Sequence, residues 1–222
     1  MKRYAIIVAG GTGSRMKGDV PKQFMLLDRT PIIQYSIEAF HEFDPEMVII
    51  LAIHSEYIEM WEKLIVRYAI DIPCTIVKGG ETRFDSVKNG LELITNTGFV
   101  AVHDAARPLV TLEFIAKQYA EAEQYGSALP GTLVTDTIRM IDGASSKQLD
   151  RTRLLAIQTP QVFKTDELIQ AYTQEYNSIF TDDASVMEAA GYSLHITEGL
   201  KANFKITHPE DIAIAEVLLQ NL

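Results

Sequence analysis

Four short apolar runs alternate with amphipathic stretches in the first 125 residues of the chain. The runs, at residues 4–9, 47–53, 74–77 and 99–105, have the length and composition of buried strands. Apolar residues recur at helical spacing in residues 32–43, 55–68, 82–94 and 111–125. A chain that alternates strands with helices forms a parallel sheet, because each helix returns the chain to the same edge. The pattern predicts an α/β fold: a Rossmann-like, mostly parallel sheet with helices on both faces.

The alternation ends after Gly131. Residues 132–160 contain segments of alternating apolar and polar residues on either side of a turn-like stretch at 142–147, which predicts a β-hairpin. We expect this hairpin to project from the sheet as an arm. Its apolar residues Leu133, Ile138 and Ile141 would then need a surface to cover them.

The rest of the chain predicts three more helices and one strand. The helices are expected at residues 166–176, at 181–191, and at 208–220 with Pro209 in the first turn. The strand is expected at 203–207, "NFKIT". Because no repeat or low-complexity linker interrupts the chain, residues 1–222 are expected to form a single domain that carries the arm.

Charge and hydropathy narrow the range of partners. The formal net charge of −10 disfavours nucleic acid, and no apolar run approaches the roughly 20 residues that span a bilayer. A single cysteine, Cys74, excludes an intramolecular disulfide and a thiolate metal cluster. We therefore expect a cytoplasmic protein without a nucleic-acid or membrane partner. Residues 1–22, with five lysines and arginines against one aspartate, predict a small anionic ligand.

The segment "AGGTGSRMKGDVPKQF" at residues 9–24 follows the first predicted strand. Its glycines let the backbone turn sharply and bring N–H groups close to phosphate oxygens. The spacing excludes a Walker loop, which requires Gly-Lys-Ser/Thr, and a dinucleotide fingerprint, which requires glycine where Met16 stands. Arg15 and Lys22 lie on the same connection, so both can converge on one polyanion. The alternative is that both are surface charges.

Two further motifs follow predicted strands, at the edge where α/β sheets bind ligands. "VHDAARP" at residues 102–108 places Asp104 and Arg107 there. Asp104 could bind Mg²⁺ or a sugar hydroxyl, or it could pair with Arg107 and only shape the turn. "GGETRFDSV" at residues 79–87 offers glycines and Ser86 to a nucleobase, although a helix cap by Thr82 explains the motif equally well.

The motifs together resemble one enzyme family. "AGGTGSRM", "PKQF", "HDAARP", "DSV", "DTIR", "TPQ", "TDDAS" and "NFKIT" occur in the order and spacing of the 2-C-methyl-D-erythritol 4-phosphate cytidylyltransferase family, and the resemblance covers nearly the whole chain. It implies a nucleotidyltransferase of the non-mevalonate isoprenoid pathway. The implied reaction converts CTP and 2-C-methyl-D-erythritol 4-phosphate to 4-diphosphocytidyl-2-C-methyl-D-erythritol and pyrophosphate.

The resemblance also implies roles for residues at the nucleotide. Arg15 and Lys22 would stabilise the transition state. The implied cofactor is Mg²⁺, held mainly by the CTP phosphates, with Asp104 as a candidate protein ligand. The nucleotide pocket would comprise Ala9, Gly10, Gly11, Thr12, Gly13, Gly80, Glu81, Ser86, Asp104, Ala105 and Arg107.

For the acceptor, the resemblance implies that Arg151 and Lys205 position the phosphate and that Thr137 and Thr159 make further contacts. From the residues alone, the two cations are more typical of surface charges. Members of the family are homodimers in which the arm crosses to the other subunit. The implied assembly is therefore a homodimer formed by arm exchange.

Two alternatives remain open at this point. Ribitol-5-phosphate cytidylyltransferases share the glycine loop and "PKQF", but "HDAARP", "RFDSV" and "FTDDASVME" favour methylerythritol phosphate. The chain departs from the methylerythritol enzymes at Leu200 and Ala202, where arginine and aspartate are frequent. A nonenzymatic nucleotide-binding protein would keep the glycine loop without needing Lys22 or Arg151.

Overall fold

The computed structural model describes residues 1–11 and 20–220 of the chain. The strands of this part are β1 (Lys2–Ala9), β2 (Leu26–Leu27), β3 (Thr30–Pro31), β4 (Val48–Ile53), β5 (Cys74–Lys78), β6 (Gly98–Asp104), β7 (Ser127–Leu133), β8 (Arg139–Asp142), β9 (Ser145–Gln148), β10 (Leu155–Ile157), β11 (Gln161–Lys164) and β12 (Ile196–Glu198). The α-helices are α1 (Ile32–Phe43), α2 (Ile58–Tyr68), α3 (Arg83–Leu91), α4 (Leu112–Tyr125), α5 (Thr165–Ala171), α6 (Asp183–Ala189) and α7 (Glu210–Leu219). None of these helices is long and apolar enough to cross a membrane.

The first four predicted strands form the parallel part of the central sheet. They stand in the order β5–β4–β1–β6, and each neighbouring pair is parallel, as predicted. In this order the chain leaves β1 toward one side of the sheet and later reaches β6 on the other side. A crevice opens between the carboxyl ends of two such strands, and sheets of this kind bind their ligands there.

Alternate residues of β1 point to opposite faces of the sheet, and helices cover both faces. Ala5 and Ile7 pack with side chains of α1, α2 and α4. Tyr4 and Ile6 pack with side chains of α3, α5 and α6. All four residues are at most 2% exposed. The predicted architecture of a sheet between two helical layers is confirmed.

Antiparallel strands extend the sheet beyond β6. β11 pairs antiparallel with both β6 and β7, and β10 pairs antiparallel with β7. β12, which the sequence pattern did not predict, pairs parallel with β7. The result is a mixed sheet of eight strands whose central part is parallel.

The strand predicted at residues 203–207 is wrong. The carbonyl of Asn203 accepts a hydrogen bond from Arg107, and the amide of Ile206 donates to the carbonyl of Ala106. The carbonyl of Ile206 accepts from the ammonium of Lys22. Because loop and side-chain groups take up these backbone positions, no ladder of strand hydrogen bonds forms in this segment.

The helix predicted at residues 166–176 is shorter than expected, since α5 ends at Ala171. The side chains of Thr173 and Gln174 donate to the carbonyls of Gln170 and Ala171. These side chains satisfy carbonyls of the last turn that a longer helix would have bonded through its backbone.

A hairpin lies within the predicted segment 132–160, but β10, near the carboxyl end of that segment, pairs with β7 in the main sheet. β8 and β9 pair antiparallel as a two-stranded sheet of their own, and Gly143 between them has a positive φ of 56°. Every residue of the two strands is exposed. Ile141 is 79% exposed, and Leu133 at the end of β7 is 75% exposed. The arm therefore projects from the sheet with apolar side chains that the single chain does not cover.

Candidate active site

A cavity of about 400 Å³ opens at the carboxyl ends of β1 and β6. Both Lys22 and Lys205 lie in its wall. The predicted nucleotide residues that also line it are Ala9, Gly10, Gly11, Gly80, Glu81, Ser86, Asp104 and Ala105. Their segments meet here because the parallel strands end at the same edge of the sheet. The other predicted residues of the glycine loop, Thr12, Gly13 and Arg15, lie outside the described residues.

The segment after the glycine loop holds Lys22 at the edge of this cavity. The ammonium of Lys22 donates to the carbonyl of Ile206 at 2.8 Å. Gln23, 2% exposed, donates from Nε2 to the carbonyls of Ala9 at 2.7 Å and Gly11 at 3.1 Å. Gln23 thus ties the start of the loop to the segment that carries Lys22. A cation is thereby placed beside the backbone predicted to bind phosphate.

A tight corner between β5 and α3 forms another wall. The hydroxyl of Ser86 accepts from the amide of Gly80 at 3.1 Å and donates to the carbonyl of Thr82 at 2.9 Å. Thr82 also caps α3 through a capping box with Asp85. A Cβ at Gly80 would overlap the Cβ of Asp85, so this corner requires glycine. The helix cap is therefore present, while contact between Ser86 and a nucleobase stays a prediction.

Asp104 is the centre of a charged cluster. Its Oδ2 lies 2.9 Å from Lys205 Nζ and 3.6 Å from Arg107 Nε, and its Oδ1 lies 3.5 Å from Arg83 Nε. Burial by itself would raise the pKa of Asp104, but Lys205, Arg83 and Arg107 outweigh burial and hold the pKa well below its ordinary value. The carboxylate therefore stays ionised and keeps the three cations together.

The sequence pattern missed Arg83. This first residue of α3 donates from its terminal nitrogen to Asp183 Oδ2 at 2.7 Å. The two residues are 100 positions apart in the chain, so no local motif connects them. An arginine in the first turn of a helix is ordinarily a solvated side chain. Only the fold reveals Arg83 as part of the site.

A second cavity, of about 320 Å³, adjoins the first. The two cavities share Arg83, Asp104 and Lys205, which form a wall between them. Arg107, predicted to belong to the nucleotide pocket, lines the second cavity and donates to the carbonyl of Asn203 at 2.8 Å. Thr159, predicted to contact the acceptor, also lines the second cavity.

A buried histidine supports this wall. The amide of Asp104 donates to Thr159 Oγ1 at 3.0 Å, and Thr159 Oγ1 lies 3.2 Å from His103 Nδ1, which in the neutral ring accepts the hydroxyl hydrogen. His103 Nε2 carries the ring hydrogen, because it faces the carbonyl of Arg107 at 3.3 Å. Burial lowers the pKa of His103 to about 4, which keeps the ring neutral. These bonds use the Thr159 hydroxyl, and contact between Thr159 and an acceptor stays a prediction.

Arg151 and Thr137 lie apart from both cavities. Both side chains are exposed, and the guanidinium of Arg151 donates to the carbonyl of Thr135. In the described part of the chain, neither residue belongs to the lining of either cavity. Within one chain, therefore, the fold does not bring these two predicted acceptor residues to Lys205.

The side chains of the site can be compared with those that would be needed to bind the expected Mg²⁺. Among the described residues, no group of three histidine, cysteine, aspartate or glutamate side chains could hold a metal ion. Asp104 is a carboxylate of the shared wall, but its oxygens already face three cations. The described residues do not fit a metal held by protein ligands alone, and Mg²⁺ held mainly by nucleotide phosphates stays a prediction.

The sequence model of the 2-C-methyl-D-erythritol 4-phosphate cytidylyltransferase family matches residues 4–221. This chain belongs to that family. A relative of the same name from Bacteroides thetaiotaomicron is 45% identical over 99% of this chain and 100% of its own length. The family suggested by the motifs is therefore confirmed, and so is the nucleotidyltransferase class.

Two solved structures show the same fold. The 4-diphosphocytidyl-2C-methyl-D-erythritol synthase of Anaerococcus prevotii is similar over 99% of this chain and 98% of its own, with a TM-score of 0.82 and 25% identity. The 2-C-methyl-D-erythritol 4-phosphate cytidylyltransferase of Thermus thermophilus is similar over 99% of this chain and 100% of its own, with a TM-score of 0.77 and 28% identity. Both likenesses span nearly the whole of this chain.

Proposed function

We propose that this protein transfers the cytidylyl group of CTP to 2-C-methyl-D-erythritol 4-phosphate in non-mevalonate isoprenoid synthesis. The observation that carries the proposal is a pair of adjoining cavities with one charged wall, in a chain of this family. The first cavity lies where α/β sheets bind nucleotides. The second cavity adjoins it on the far side of the shared wall and suits the acceptor. The two substrates would meet at Arg83, Asp104 and Lys205.

The reaction requires little proton chemistry. An oxygen of the acceptor phosphate attacks the α-phosphorus of CTP and forms a new P–O bond. The bond between the α-phosphorus and the oxygen bridging to the β-phosphate breaks, and its electron pair leaves with pyrophosphate. The attacking phosphate is already an anion near neutral pH, so no general base is needed. The barrier is dominated by the approach of one anion to another, which positioned cations lower.

Cations of the site have distinct parts in this proposal. Lys22, at the edge of the first cavity, would stabilise the charge that gathers on the α-phosphate. Arg15 would neutralise the leaving pyrophosphate. Lys205, held 2.9 Å from Asp104, would bind the acceptor phosphate at the shared wall. Mg²⁺, when bound to the triphosphate, supplies further charge neutralisation at the leaving group.

A homodimer would complete the site. The arm of one chain carries Arg151 away from its own cavities, and its exposed Ile141 and Leu133 need a covering surface. A two-stranded hairpin is marginally stable by itself in water. A two-fold dimer with exchanged arms would cover the apolar side chains and bring Arg151 to the partner's acceptor cavity.

The function is tested by measuring pyrophosphate release with four nucleoside triphosphates and several polyol phosphates. We expect the highest rate with CTP and 2-C-methyl-D-erythritol 4-phosphate. Equal rates with UTP or ATP would overturn the choice of nucleotide. A higher rate with ribitol 5-phosphate would assign the protein to the alternative acceptor. CTP binding without pyrophosphate release from any pair would favour a nonenzymatic protein.

Arm exchange is tested by mixing subunits of two inactive variants, Lys22→Ala and Arg151→Ala. If Arg151 acts on the partner's site, a hybrid dimer has one site with both defects and one intact site, so co-refolding restores activity. If Arg151 serves its own chain, every site keeps one defect and mixing restores nothing. Hybrid formation is checked by mass, and each variant refolded alone is the control.

A further inference from the structure

Asp183, a buried carboxylate outside both cavity linings, contacts the shared wall. It is the first residue of α6 and is 0% exposed. Its Oδ2 accepts from Arg83 at 2.7 Å, and its Oδ1 accepts from the hydroxyl of Tyr172, also at 2.7 Å. Both carboxylate oxygens are thus engaged by protein groups. Asp183 is therefore oriented before any substrate arrives.

Arg83 connects this carboxylate to Asp104. One nitrogen of the guanidinium binds Asp183, and Nε lies 3.5 Å from Asp104 Oδ1. Burial opposes the charge on Arg83, but Asp183 and Asp104 outweigh burial and raise its pKa. Arg83 therefore stays charged between two carboxylates. Asp104 in turn binds Lys205, the residue expected to hold the acceptor phosphate.

Tyr172 is fixed as the second partner of Asp183. Its ring stacks on Phe84 with centroids 4.6 Å apart, and it is 2% exposed. Burial and the nearby charge of Asp183 raise the pKa of Tyr172, so the hydroxyl stays protonated and donates. Phe84 follows Arg83 in α3, and the stack therefore also holds the end of the helix that carries Arg83.

We propose that Asp183, oriented by Tyr172, is a positioning residue for the acceptor: it fixes Arg83, which holds Asp104 and through it Lys205. This inference rests on the proposed function. Without the charge of Asp183, the guanidinium of Arg83 would turn wholly to Asp104, because an arginine binds a carboxylate best with two parallel N–H groups. Arg83 would then compete with Lys205 for Asp104, and the ammonium of Lys205 would lose its fixed place.

The test variant is Asp183→Asn, assayed for pyrophosphate release at saturating CTP while 2-C-methyl-D-erythritol 4-phosphate is varied. We expect kcat/KM for the acceptor to fall about 10- to 100-fold, the effect of losing one charge-assisted hydrogen bond. The dissociation constant for CTP alone should change less than about twofold. The control is Asp71→Asn. Asp71 is exposed and lies just before β5, so this change removes the same charge elsewhere and should leave acceptor kcat/KM and CTP affinity unchanged.

A double-mutant cycle separates positioning from general stability. If Asp183 acts through Arg83, then Arg83→Gln and the double variant Arg83→Gln/Asp183→Asn should have the same acceptor kcat/KM. Additive losses would overturn the proposal. So would acceptor kinetics that Asp183→Asn leaves unchanged, or a loss of CTP affinity as large as the loss in acceptor kcat/KM.

Tyr172→Phe keeps the proposal testable if Asp183→Asn does not fold, because it preserves the carboxylate and the aromatic stack. It should lower acceptor kcat/KM about two- to tenfold, less than Asp183→Asn does, because Arg83 still binds the other carboxylate oxygen. The loss should vanish in the Arg83→Gln background. An unchanged acceptor kcat/KM, or an equal loss in both backgrounds, would refute the inference. If wild type and Asp71→Asn release no pyrophosphate, the proposed function itself fails, which is a different result.

Discussion

Protonation of His103 should destabilise the protein in mildly acidic solution. The neutral ring accepts from the Thr159 hydroxyl at Nδ1 and donates to the Arg107 carbonyl at Nε2. A second ring hydrogen would face Thr159 Oγ1, which already accepts from the amide of Asp104. Both ring nitrogens would then be donors, and the threonine hydroxyl hydrogen would lose its acceptor. The ring is 0% exposed, so no solvent would compensate.

The size of the effect follows from linkage. Burial lowers the pKa of His103 from 6.5 in an unstructured chain to about 4 in the folded protein. Between these values the unfolded chain binds more protons than the folded one, so the free energy of unfolding falls as the pH falls. The loss attributable to His103 is about 2 kcal/mol at pH 5 and about 3 kcal/mol at pH 4. Asp104, whose pKa is lowered, loses its contribution to stability mainly below its ordinary pKa of 3.8, so it adds little to the change between pH 7.5 and pH 5.

The measurement is urea unfolding at pH 7.5 and pH 5 for wild type, His103→Gln and His208→Gln. Glutamine can bond both Thr159 and Arg107 without titrating, so His103→Gln should lose about 2 kcal/mol less than wild type between the two pH values. His208 is exposed, and its variant should behave as wild type. Equal losses in wild type and His103→Gln would refute the reasoning. Ring ¹⁵N shifts that show a cationic His103 at pH 6 would also refute it.

Three further changes test individual parts of the site. Lys22→Ala should lower kcat by roughly 10²–10³ with a smaller change in the KM for CTP, because the charge of Lys22 acts mainly in the transition state. Steady-state kinetics measure both quantities, and a raised KM with normal kcat would assign Lys22 to ground-state binding. Arg151→Lys should raise the KM for the acceptor without changing CTP affinity, because an ammonium cannot make two parallel hydrogen bonds to a phosphate. Full activity of this variant would show that a point charge is sufficient. Gly80→Ala should cost about 1–3 kcal/mol in urea unfolding, because the new Cβ overlaps Asp85. Gly11→Ala should cost less, because its Cβ would meet no atom of the described residues within 4 Å.

The local sequence pattern was sufficient to predict the parallel sheet and the edge of the sheet where the candidate site lies. Strand and helix periodicities are properties of neighbouring residues, and the carboxyl end of a strand is defined by where its apolar run stops. Asp104, Gly10 and Gly11 could therefore be assigned to one edge of the sheet before the fold was known. The hairpin was also predictable, because turn residues and alternation lie within one segment.

The tertiary structure decided which backbone groups and charges meet. Residues 203–207 alternate like a strand, but their backbone groups bond to Lys22, Ala106 and Arg107, and alternation does not reveal the partner. Arg83 and Asp183 are 100 residues apart, and their pairing depends on how α3 and α6 pack on one face of the sheet. A charge's role depends on the groups within a few ångströms of it, and for these residues those groups are distant in sequence.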